Sequence, residues 1–403
     1  MDAEQEVRRA LVFTREISME AGTVRSAEGF VNGLAASFAE LRDPRVVGRC
    51  DHKLIDILTI AILAVFCGAD DWPEIESFGE RREGWLRKFL ELPNGIPSHD
   101  TFRRVFEALN RKQFATCLFQ WTQALHAATG GTMIAIDGKT LRASGNRKTG
   151  ISNLHLVTAW ATETGLTLGQ VACEDKSNEI TAIPELLALL DIEGCTVTID
   201  AMGCQRAIVE QIRKQKGNYI LGLKGNQSTL QADAQELVEH GINTDFRGMK
   251  KTEVTVSEKG HGREECRMCL AIGIPQDHPQ RKRWQDLETV IAITTQRVIG
   301  DNESWETRYY ISNLPPKAKM LGQAIRRHWS IENSQHWILD VAFQEDRRRQ
   351  SERNGAANLA AVRRLTASLL RQEKTNKRGV KNKRLSCALD TDYLVLALNT
   401  AQF

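Results

Sequence analysis

The stretch TMIAIDGKT, residues 132–140, is a short apolar run that leads into Asp137 and continues at once with glycine and lysine. An unpaired ionised carboxylate is costly to bury inside a strand. We therefore expect Asp137 to lie where a strand emerges from its sheet. Gly138 then lets the chain turn and leaves room for a ligand to approach the backbone. The alternative is that this aspartate only begins a turn or caps the next helix.

A second stretch, CTVTIDAMG at residues 195–203, repeats this form and places Asp200 directly after an apolar run. One strand-aspartate-glycine segment is common in turns. Two carboxylates at the ends of two strands in the centre of a sheet can point at one spot. The pair therefore indicates a shared site.

A third acidic position, Glu332, lies in the strongly patterned segment AIRRHWSIENSQHWILDVAF, residues 324–343. Read as one continuous helix, this segment stacks His328, Glu332 and His336 one turn apart along one side. We predict that this helix brings Glu332 to the two strand-end aspartates.

Composition is that of an ordinary globular protein, with 403 residues, 41% hydrophobic and 26% charged. This length allows two or three domains with full cores. The chain has 54 Lys and Arg against 51 Asp and Glu, and its net charge is +3. This overall charge does not indicate a nucleic-acid partner, so evidence for DNA binding must come from local clusters of basic residues. Nine scattered cysteines fit reduced thiols, and no apolar run approaches the roughly 18 residues of a membrane span. The N-terminus lacks a secretory signal, so we expect a cytoplasmic protein.

The sequence predicts an α/β fold. Residues 1–128 read as helical, and from residue 133 the order is strand, strand, strand, helix, strand, helix, strand, with a hairpin turn at 163–165. The first three strands are expected to be antiparallel, and right-handed helical crossovers then add parallel strands. The result is a mixed sheet with flanking helices. Asp137 and Asp200 become neighbours if the fourth strand returns beside the first. Strand-like pieces in residues 225–315 predict a β-rich insertion before the helix that carries Glu332.

Three converging carboxylates repel one another unless cations lie between them. All-oxygen ligation suits Mg²⁺ or Mn²⁺. Two such ions about 3.5–4 Å apart can activate a water or a 3′-hydroxyl and stabilise the leaving oxygen in a phosphoryl displacement. The acidic residues therefore indicate chemistry on a phosphodiester.

Basic side chains that follow or precede these acidic positions are candidates to hold backbone phosphates, although each taken singly is more typical of a solvated surface. They are Lys139, Arg142, Arg147 and Lys148 after the first aspartate, Lys224 after the fifth strand, and Arg326 with Arg327 before Glu332.

The N-terminal region holds a further candidate for DNA contact. In IPSHDTFRRVFEALN, Ser98 is a good N-cap and an apolar stripe runs at spacings of three and four. This helix is either the second helix of a helix-turn-helix, with Arg103 and Arg104 reaching DNA, or an amphipathic helix with a solvated basic face.

The C-terminal run RQEKTNKRGVKNKR, residues 371–384, is strongly basic and poor in apolar residues. Together with Gly379, this composition argues against a buried helix. The run is either a solvated connection or a segment that follows the phosphates of bound DNA.

Several segments in the right order resemble the DDE transposases of bacterial insertion sequences, in the branch that includes the H-repeat-associated proteins. They are HWSIENSQHWILDVAFQEDRRR, IAIDGKTLR, KSNEITAIPELL, TIDAMGCQRAI, LKGNQ and RYYISNLP, while DDWPEIESFGE and NGIPSHDTFRRVF resemble the N-terminal region that accompanies this catalytic domain. The resemblance implies an RNase H-like core, Mg²⁺ or Mn²⁺, and cleavage and transfer of strands at the ends of a mobile element. It also implies double-stranded DNA as partner, both element ends and target, and a homo-oligomer on that DNA, with no membrane.

The acidic triad of that family corresponds here to Asp137, Asp200 and Glu332, as catalytic and metal-binding residues. In the wider group an arginine stands four residues before the glutamate and a lysine seven after it. This chain has His328 and Leu339 there, so those basic roles stay open. Candidates for these roles and for DNA contact are Arg326, Arg327 and His336, with His328 as a further DNA contact.

The resemblance also suggests a division of the chain. Residues 1–128 form a helical N-terminal domain and candidate DNA-binding region, 129–224 the first part of the catalytic core, 225–315 the β-rich insertion, 316–370 the second part of the core, and 371–403 a basic C-terminal segment.

Three alternatives remain open at this stage. A host-domesticated or decayed copy would bind DNA without cutting it, and an RNase H-like nuclease would cut DNA without transferring strands. In a zinc hydrolase, His328, Glu332 and His336 would be the metal ligands, but the two strand-end aspartates would then have no role.

Overall fold

The computed structural model describes residues 27–46, 48–173, 179–260 and 262–400, apart from the side chains of residues 128, 129 and 147. Part of the predicted N-terminal domain, residues 1–26, and the start of the KSNEITAIPELL segment lie outside these ranges. The helices are α1 Ala27–Ser37, α2 Leu54–Phe66, α3 Trp72–Leu86, α4 His99–Ala108, α5 Arg111–Thr129, α6 Glu179–Leu187, α7 Arg206–Lys214, α8 Ser228–Asn243, α9 Pro279–Arg283, α10 Ala318–His328, α11 Trp337–Ala342, α12 Arg353–Gln372, α13 Val380–Leu389 and α14 Thr391–Asn399. The strands are β1 Met133–Leu141, β2 Leu154–Ala161, β3 Leu166–Cys173, β4 Thr196–Ile199, β5 Asn218–Gly222, β6 Lys251–Gly260, β7 Arg263–Gly273, β8 Thr289–Ile299 and β9 Asn302–Ser312.

The region before β1 is helical in its described part, from α1 to α5. Helix α2 is apolar around its whole circumference and is buried on all sides, as expected for a core helix. Helix α4 buries Phe102, Val105 and Phe106 and is capped by Ser98, as its sequence pattern predicts. The connection from α3 to α4 spans residues 87–98. It is longer than the turn of three or four residues in a helix-turn-helix, so α3 and α4 do not form that motif.

The strands form one nine-stranded mixed sheet in the order β3-β2-β1-β4-β5-β9-β8-β7-β6. Strand β4 pairs in parallel with β1 on one side and with β5 on the other, whereas β1, β2 and β3 are antiparallel. The first crossover therefore returns the fourth strand beside the first, which is the condition under which Asp137 and Asp200 were expected to be neighbours. Helix α6, which makes that crossover, packs on β2 and β3.

Strand β1 is longer than expected. It does not end at Asp137, because pairing with β2 continues to Leu141 opposite Leu154. What ends near Asp137 is the pairing with β4, whose last matched pair is Ile136 with Ile199. Gly138 therefore lies within a strand, opposite Val157, and the prediction of a turn there was wrong.

The predicted β-rich region is a continuation of the same sheet. Strands β6 to β9 form an antiparallel ladder that joins the sheet through the pairing of β9 with β5. Helix α8, which precedes these strands, is not among the elements expected from the sequence. Its buried residues Leu230, Ala234, Val238 and Gly241 recur at helical spacing, so the signal was present.

The segment that carries Glu332 is not one continuous α-helix. Helix α10 ends at His328, residues Ile331–His336 form a π-helical turn, and α11 follows. A π turn contains more residues than an α turn, so the predicted one-turn stack of His328, Glu332 and His336 was wrong.

The basic C-terminal run is also more ordered than expected. Its second half enters α13, in which Lys383 and Arg384 are buried. The Arg384 guanidinium donates to the carbonyls of Val65, Ala69 and Ala342 and pairs with Asp70 at 2.8 Å. The prediction of no buried helix was therefore wrong, because saturated hydrogen bonding compensates for burial of these charges.

Within the described ranges, the chain contains no helix with the length and apolar character needed to span a membrane. All nine cysteines are free thiols.

Replacing Arg384 with glutamine should lower the stability of the fold by about 3–5 kcal/mol, because the substitution leaves the buried Asp70 carboxylate without its cation. The matched control is Lys381→Gln on the same helix, whose side chain is exposed and whose loss should change stability by less than about 0.5 kcal/mol. Urea unfolding followed by circular dichroism measures both. Equal unfolding midpoints for the two variants would show that Arg384 is not a structural centre.

Candidate active site

Two aspartates lie side by side at one edge of the parallel part of the sheet. Because Ile136 is opposite Ile199, Asp137 and Asp200 are the next residues on two adjacent parallel strands. The Asp137 side chain is 18% exposed, and Asp200 is exposed. The carboxyl ends of adjacent parallel strands are a common location for ligand sites in α/β sheets.

Strand β1 runs along the segment that carries Glu332. Alternate residues of a strand share one face, and on this face Met133 packs in the same cluster as α10 while Ala135 packs against Ile331. Further along, Asp137 Oδ2 lies 3.8 Å from His336 Nδ1, and Lys139 Nζ lies 2.8 Å from Asp340 Oδ1.

The spacing of these contacts explains the π turn. Successive β1 residues on the face meet positions 331, 336 and 340 of the helical segment. The first interval is five residues and the second is four. The extra residue is accommodated within Ile331–His336, the π-helical turn, which keeps the helix in step with the strand.

The three carboxylates are close enough to influence one another. Burial and then the charges of Glu332, Asp200 and Glu179 raise the pKa of Asp137 to about 7, against the opposing effect of a backbone hydrogen bond. Glu332 itself is exposed. The charges of Glu332 and Asp200 therefore act on Asp137, and convergence of the three carboxylates on one metal site stays a prediction.

The turn after Asp200 is held in place by its own side chain and by the loop after β5. Asp200 Oδ1 accepts hydrogen bonds from the backbone N–H groups of Met202, at 3.0 Å, and Gly203, at 3.4 Å. Asn226 donates from Nδ2 to the carbonyl of Ala201 at 2.7 Å. Asn226 belongs to the LKGNQ segment, so that segment fixes the backbone that carries Asp200.

The opposite face of β1 explains why a glycine follows Asp137. A β-carbon at Gly138 would lie 2.2 Å from His155 Nε2 and 2.4 Å from Glu179 Oε1. These two side chains form a buried pair at 2.6 Å, and Thr140 Oγ1 lies 2.9 Å from His155 Nδ1. Gly138 is thus required by close packing, and any larger residue would displace this pair.

The donor set fits a hard divalent cation in chemistry. Carboxylate oxygens are the ligands that Mg²⁺ and Mn²⁺ prefer, and the pKa of Asp137 is raised by burial first and then by the neighbouring negative charges. In this conformation, the described residues contain no group of three or more His, Cys, Asp or Glu side chains close enough to hold a metal ion. The three side chains would have to come closer together to form a ligand set.

The family comparisons agree with this geometry. The family described as "Transposase DDE domain" matches residues 128–370, and "DDE_Tnp_1-associated" matches residues 35–122. The chain belongs to the DDE transposase family. Its relatives place it in the H-repeat branch.

Two relatives cover nearly the whole chain. "Putative transposase YncI" of Escherichia coli O157:H7 is 39% identical over 368 residues, which is 90% of this transposase and 94% of that protein. "H repeat-associated putative transposase YhhI" of Escherichia coli K12 is 36% identical over 361 residues, 88% and 95% of the two chains. A piggyBac transposase synaptic complex with hairpin DNA aligns with a TM-score of 0.40 at 9% identity, covering 93% of this chain and 78% of that one.

Lys139 of this transposase is not available as a phosphate contact. Its side chain is 8% exposed, and Nζ lies 2.8 Å from Asp340, 3.2 Å from Asp346 and 3.5 Å from Glu345. Glu345 is in turn paired at 2.8 Å with Arg364, which is fully buried. The prediction that Lys139 holds DNA does not fit this position. No local pattern predicts this burial, because the partners Asp340 and Asp346 lie 201 and 207 positions away in the chain.

The two histidines beside the carboxylates are neutral at pH 7. Burial lowers the pKa of His328 to about 4, and its Nδ1 lies 2.9 Å from Thr198 Oγ1. Burial and the charges of Arg364 and Lys139 lower the pKa of His336 to about 3. In this conformation neither ring supplies the positive charge expected of a phosphate contact. The two rings also have different partners, which counts against the zinc alternative.

The other candidate DNA contacts lie at the surface. Arg142, Lys148, Lys224 and Arg104 are exposed. Arg326 and Arg327 are half-exposed and pair with Glu258 at 3.5 Å and Glu163 at 3.1 Å, while Arg103 pairs with Asp100 and Glu107 on its own helix. The side chain of Arg147 lies outside the described part.

In buffer without divalent cations, Asp137→Asn should raise the melting temperature more at pH 8 than at pH 5. The folded pKa of about 7 lies above the ordinary value of 3.8, so the folded state keeps a proton that the unfolded chain releases. Stability therefore falls as pH rises from about 4 to 7, by up to roughly 4 kcal/mol, and asparagine removes this loss. Scanning calorimetry at both pH values measures the two melting temperatures, and the control is Asp286→Asn, whose exposed carboxylate pairs with Arg213. An equal change in melting temperature at both pH values would contradict the prediction.

Lys139→Met should destabilise the fold by about 3–5 kcal/mol, because it leaves three carboxylates facing one another without their shared cation. Adding Asp340→Asn should recover part of the loss. The control is Arg142→Gln, whose guanidinium is 81% exposed and also contacts Asp346, so its effect should be within about 1 kcal/mol. Chemical denaturation of the parent, Lys139→Met, Asp340→Asn and the double variant gives the coupling energy between Lys139 and Asp340. Additive effects in the double variant would exclude a direct interaction between the two side chains.

Proposed function

We propose that this transposase cleaves DNA at the ends of an insertion sequence and joins the freed strands to a target, using divalent metal ions. One observation carries the proposal. Asp137 and Asp200 come directly after the last matched pair of the parallel strands β1 and β4, and the charges of Glu332 and Asp200 add to burial in raising the pKa of Asp137. Such a concentration of negative charge destabilises the folded protein when no cation is bound, and its function is to bind cations.

In this proposal Asp137, Asp200 and Glu332 hold the ions. When bound, the ions would activate a water or a 3′-hydroxyl and stabilise the leaving oxygen of an in-line displacement. Cation binding would lower the pKa of Asp137, releasing the proton that its carboxyl holds at neutral pH. The neutral ring of His336 beside Asp137 Oδ2, at 3.8 Å, limits the directions in which that carboxylate can turn.

Strand order supports an RNase H-like core. The order β3-β2-β1-β4-β5, with the first three strands antiparallel and the last three parallel, is the arrangement expected from the resemblance. We extend the proposal to the domain layout: a helical region before residue 129, a core of 129–224 with 316–370, and strands β6 to β9 as an insertion that lengthens the sheet.

DNA is the proposed substrate, as element ends and as target. Lys224 follows β5, which is parallel to β4, so its exposed charge lies at the same edge of the sheet as Asp200. We propose that exposed cations at this edge bind phosphates, that Arg103 and Arg104 of α4 contact the element end, and that the protein acts as a homo-oligomer on DNA in the cytoplasm.

Removing one carboxylate should abolish cleavage without preventing DNA binding. We expect Asp137→Asn, Asp200→Asn and Glu332→Gln each to slow Mg²⁺-dependent cutting by about a thousandfold or more, since losing one metal ligand removes about 4 kcal/mol of transition-state stabilisation. The control is Glu193→Gln, an exposed carboxylate paired with Lys216. The substrate is a labelled duplex containing the DNA that flanks the coding region.

Each outcome separates the alternatives. A triad variant that cuts at the wild-type rate shows that its carboxylate holds no catalytic metal. Wild-type protein that binds the duplex but never cuts it, in Mg²⁺ or in Mn²⁺, indicates a copy without cleavage activity. Cutting without joining to a target plasmid indicates a nuclease.

A further inference from the structure

A cleft outside the carboxylate site combines strong positive charge with a preformed shape. It lies between the β1–β2 connection, residues 142–153, and the connection before α12, residues 346–351, and it has a volume of about 900 Å³. Four cations and a single acid line it: Arg142, Lys148, Arg347, Arg349 and Asp346. Asp346 is already compensated, at 3.2 Å from Lys139 and 3.4 Å from Arg142. We call this region the basic cleft.

Both walls of the basic cleft are fixed to each other. The backbone N–H of Gln350 donates to the carbonyl of Ala143 at 3.3 Å, and Arg353 donates from Nη2 to Ser152 Oγ at 3.2 Å. At the other end the backbone N–H of Arg142 donates to Asp346 Oδ1 at 3.2 Å. Bonds at both ends mean that a ligand need not order these loops on binding, which lowers the cost of association.

The three consecutive arginines at 347–349 divide their roles. The middle one, Arg348, pairs with Asp71 at 2.7 Å and Glu74 at 3.0 Å at the start of α3. This anchor ties the loop to the helical N-terminal region. Arg347 and Arg349 line the cleft with exposed side chains. Two cationic side chains that an anchored neighbour keeps at the surface are suited to bind an anion.

The position of the basic cleft relative to the carboxylates suggests which anion. Strand β1 connects them, from Asp137 to Leu141 at its end. At about 3.3 Å per residue, four residues span roughly 13 Å. This distance equals about four base-pair steps of a duplex at 3.4 Å each.

We propose that the basic cleft binds the sugar-phosphate backbone of the substrate DNA about three to five nucleotides from the phosphate that is cut. This proposal rests on the proposed function, because it takes DNA as substrate and the carboxylates as the cutting site. Arg347 and Arg349 contact the phosphates, with Arg142 and Lys148 on the facing wall. Arg348 holds the wall in place. These contacts are independent of base sequence, so they position the strand and do not select the element end.

Binding of a 30-base-pair duplex with an element end is measured by fluorescence anisotropy over a range of salt concentrations, with Asp200→Asn in every protein to prevent cutting. Arg347→Gln/Arg349→Gln should weaken binding about tenfold and flatten the slope of log K against log salt by up to about 1.8. The matched control is Lys214→Gln/Lys216→Gln, two exposed cations just before β5 at the opposite edge of the sheet, which should bind like the parent.

A second arm locates the contact on the DNA. Single uncharged methylphosphonate linkages, placed one at a time along the strand, should weaken binding by the parent at three to five nucleotides from the cut. The same linkages should have no further effect on Arg347→Gln/Arg349→Gln. An unchanged salt slope, or the same methylphosphonate profile in both proteins, would overturn the proposal.

The two proposals can fail separately. If the cleft variant shows the expected slope and loses the methylphosphonate effects seen with the parent, but the protein with Asp200 intact never cuts DNA, the basic cleft is a phosphate-binding site and the cleavage proposal fails. If cutting is confirmed while the slope and profile do not change, only the basic cleft is overturned. Absence of any duplex binding by the parent would overturn both.

Discussion

The parallel pairing of β1 with β4 is the constraint on which the site depends. It ends at Ile136 and Ile199, so the next residue on each strand is an aspartate at the same edge of the sheet. Burial of Asp137 and then the negative charges of Glu332 and Asp200 raise the pKa of Asp137 to about 7. The repulsion among these carboxylates destabilises the cation-free fold, a cost that proteins commonly accept at functional sites.

The structure compensates for that repulsion next to the site and not within it. Lys139, two residues beyond Asp137, is surrounded by Asp340, Glu345 and Asp346, and Arg364 completes the buried network. This network ties β1 to α11 and α12, and thereby fixes the register of the helical segment that carries Glu332. The two neutral histidines add no charge. The elements that carry the carboxylates are consequently held rigidly without a compensating cation inside the site.

Much of this arrangement follows from sequence pattern, and the remainder depends on distant partners. The repeated strand-aspartate form identifies Asp137 and Asp200 as a pair, and the return of β4 beside β1, which the sequence left as a condition, brings them together. The π turn is not predictable from its own residues, because the extra residue is set by the contacts of Ala135 and Asp137 across the interface. Lys139 and Arg384 are typical surface residues by composition. Their burial depends on carboxylates and carbonyls far away in the chain, which no local pattern reveals.

The claim that Asp137, Asp200 and Glu332 form one metal site can be tested directly by iron-mediated cleavage of the polypeptide. Fe²⁺ replaces Mg²⁺ in the protein bound to duplex DNA, ascorbate and peroxide generate hydroxyl radicals at the ion, and mass spectrometry locates the broken peptide bonds. We expect breaks close to residues 137, 200 and 332, all suppressed by excess Mg²⁺ and absent in the Asp200→Asn protein. Breaks confined to other parts of the chain, or unchanged by Asp200→Asn, would contradict a metal site shared by these three carboxylates.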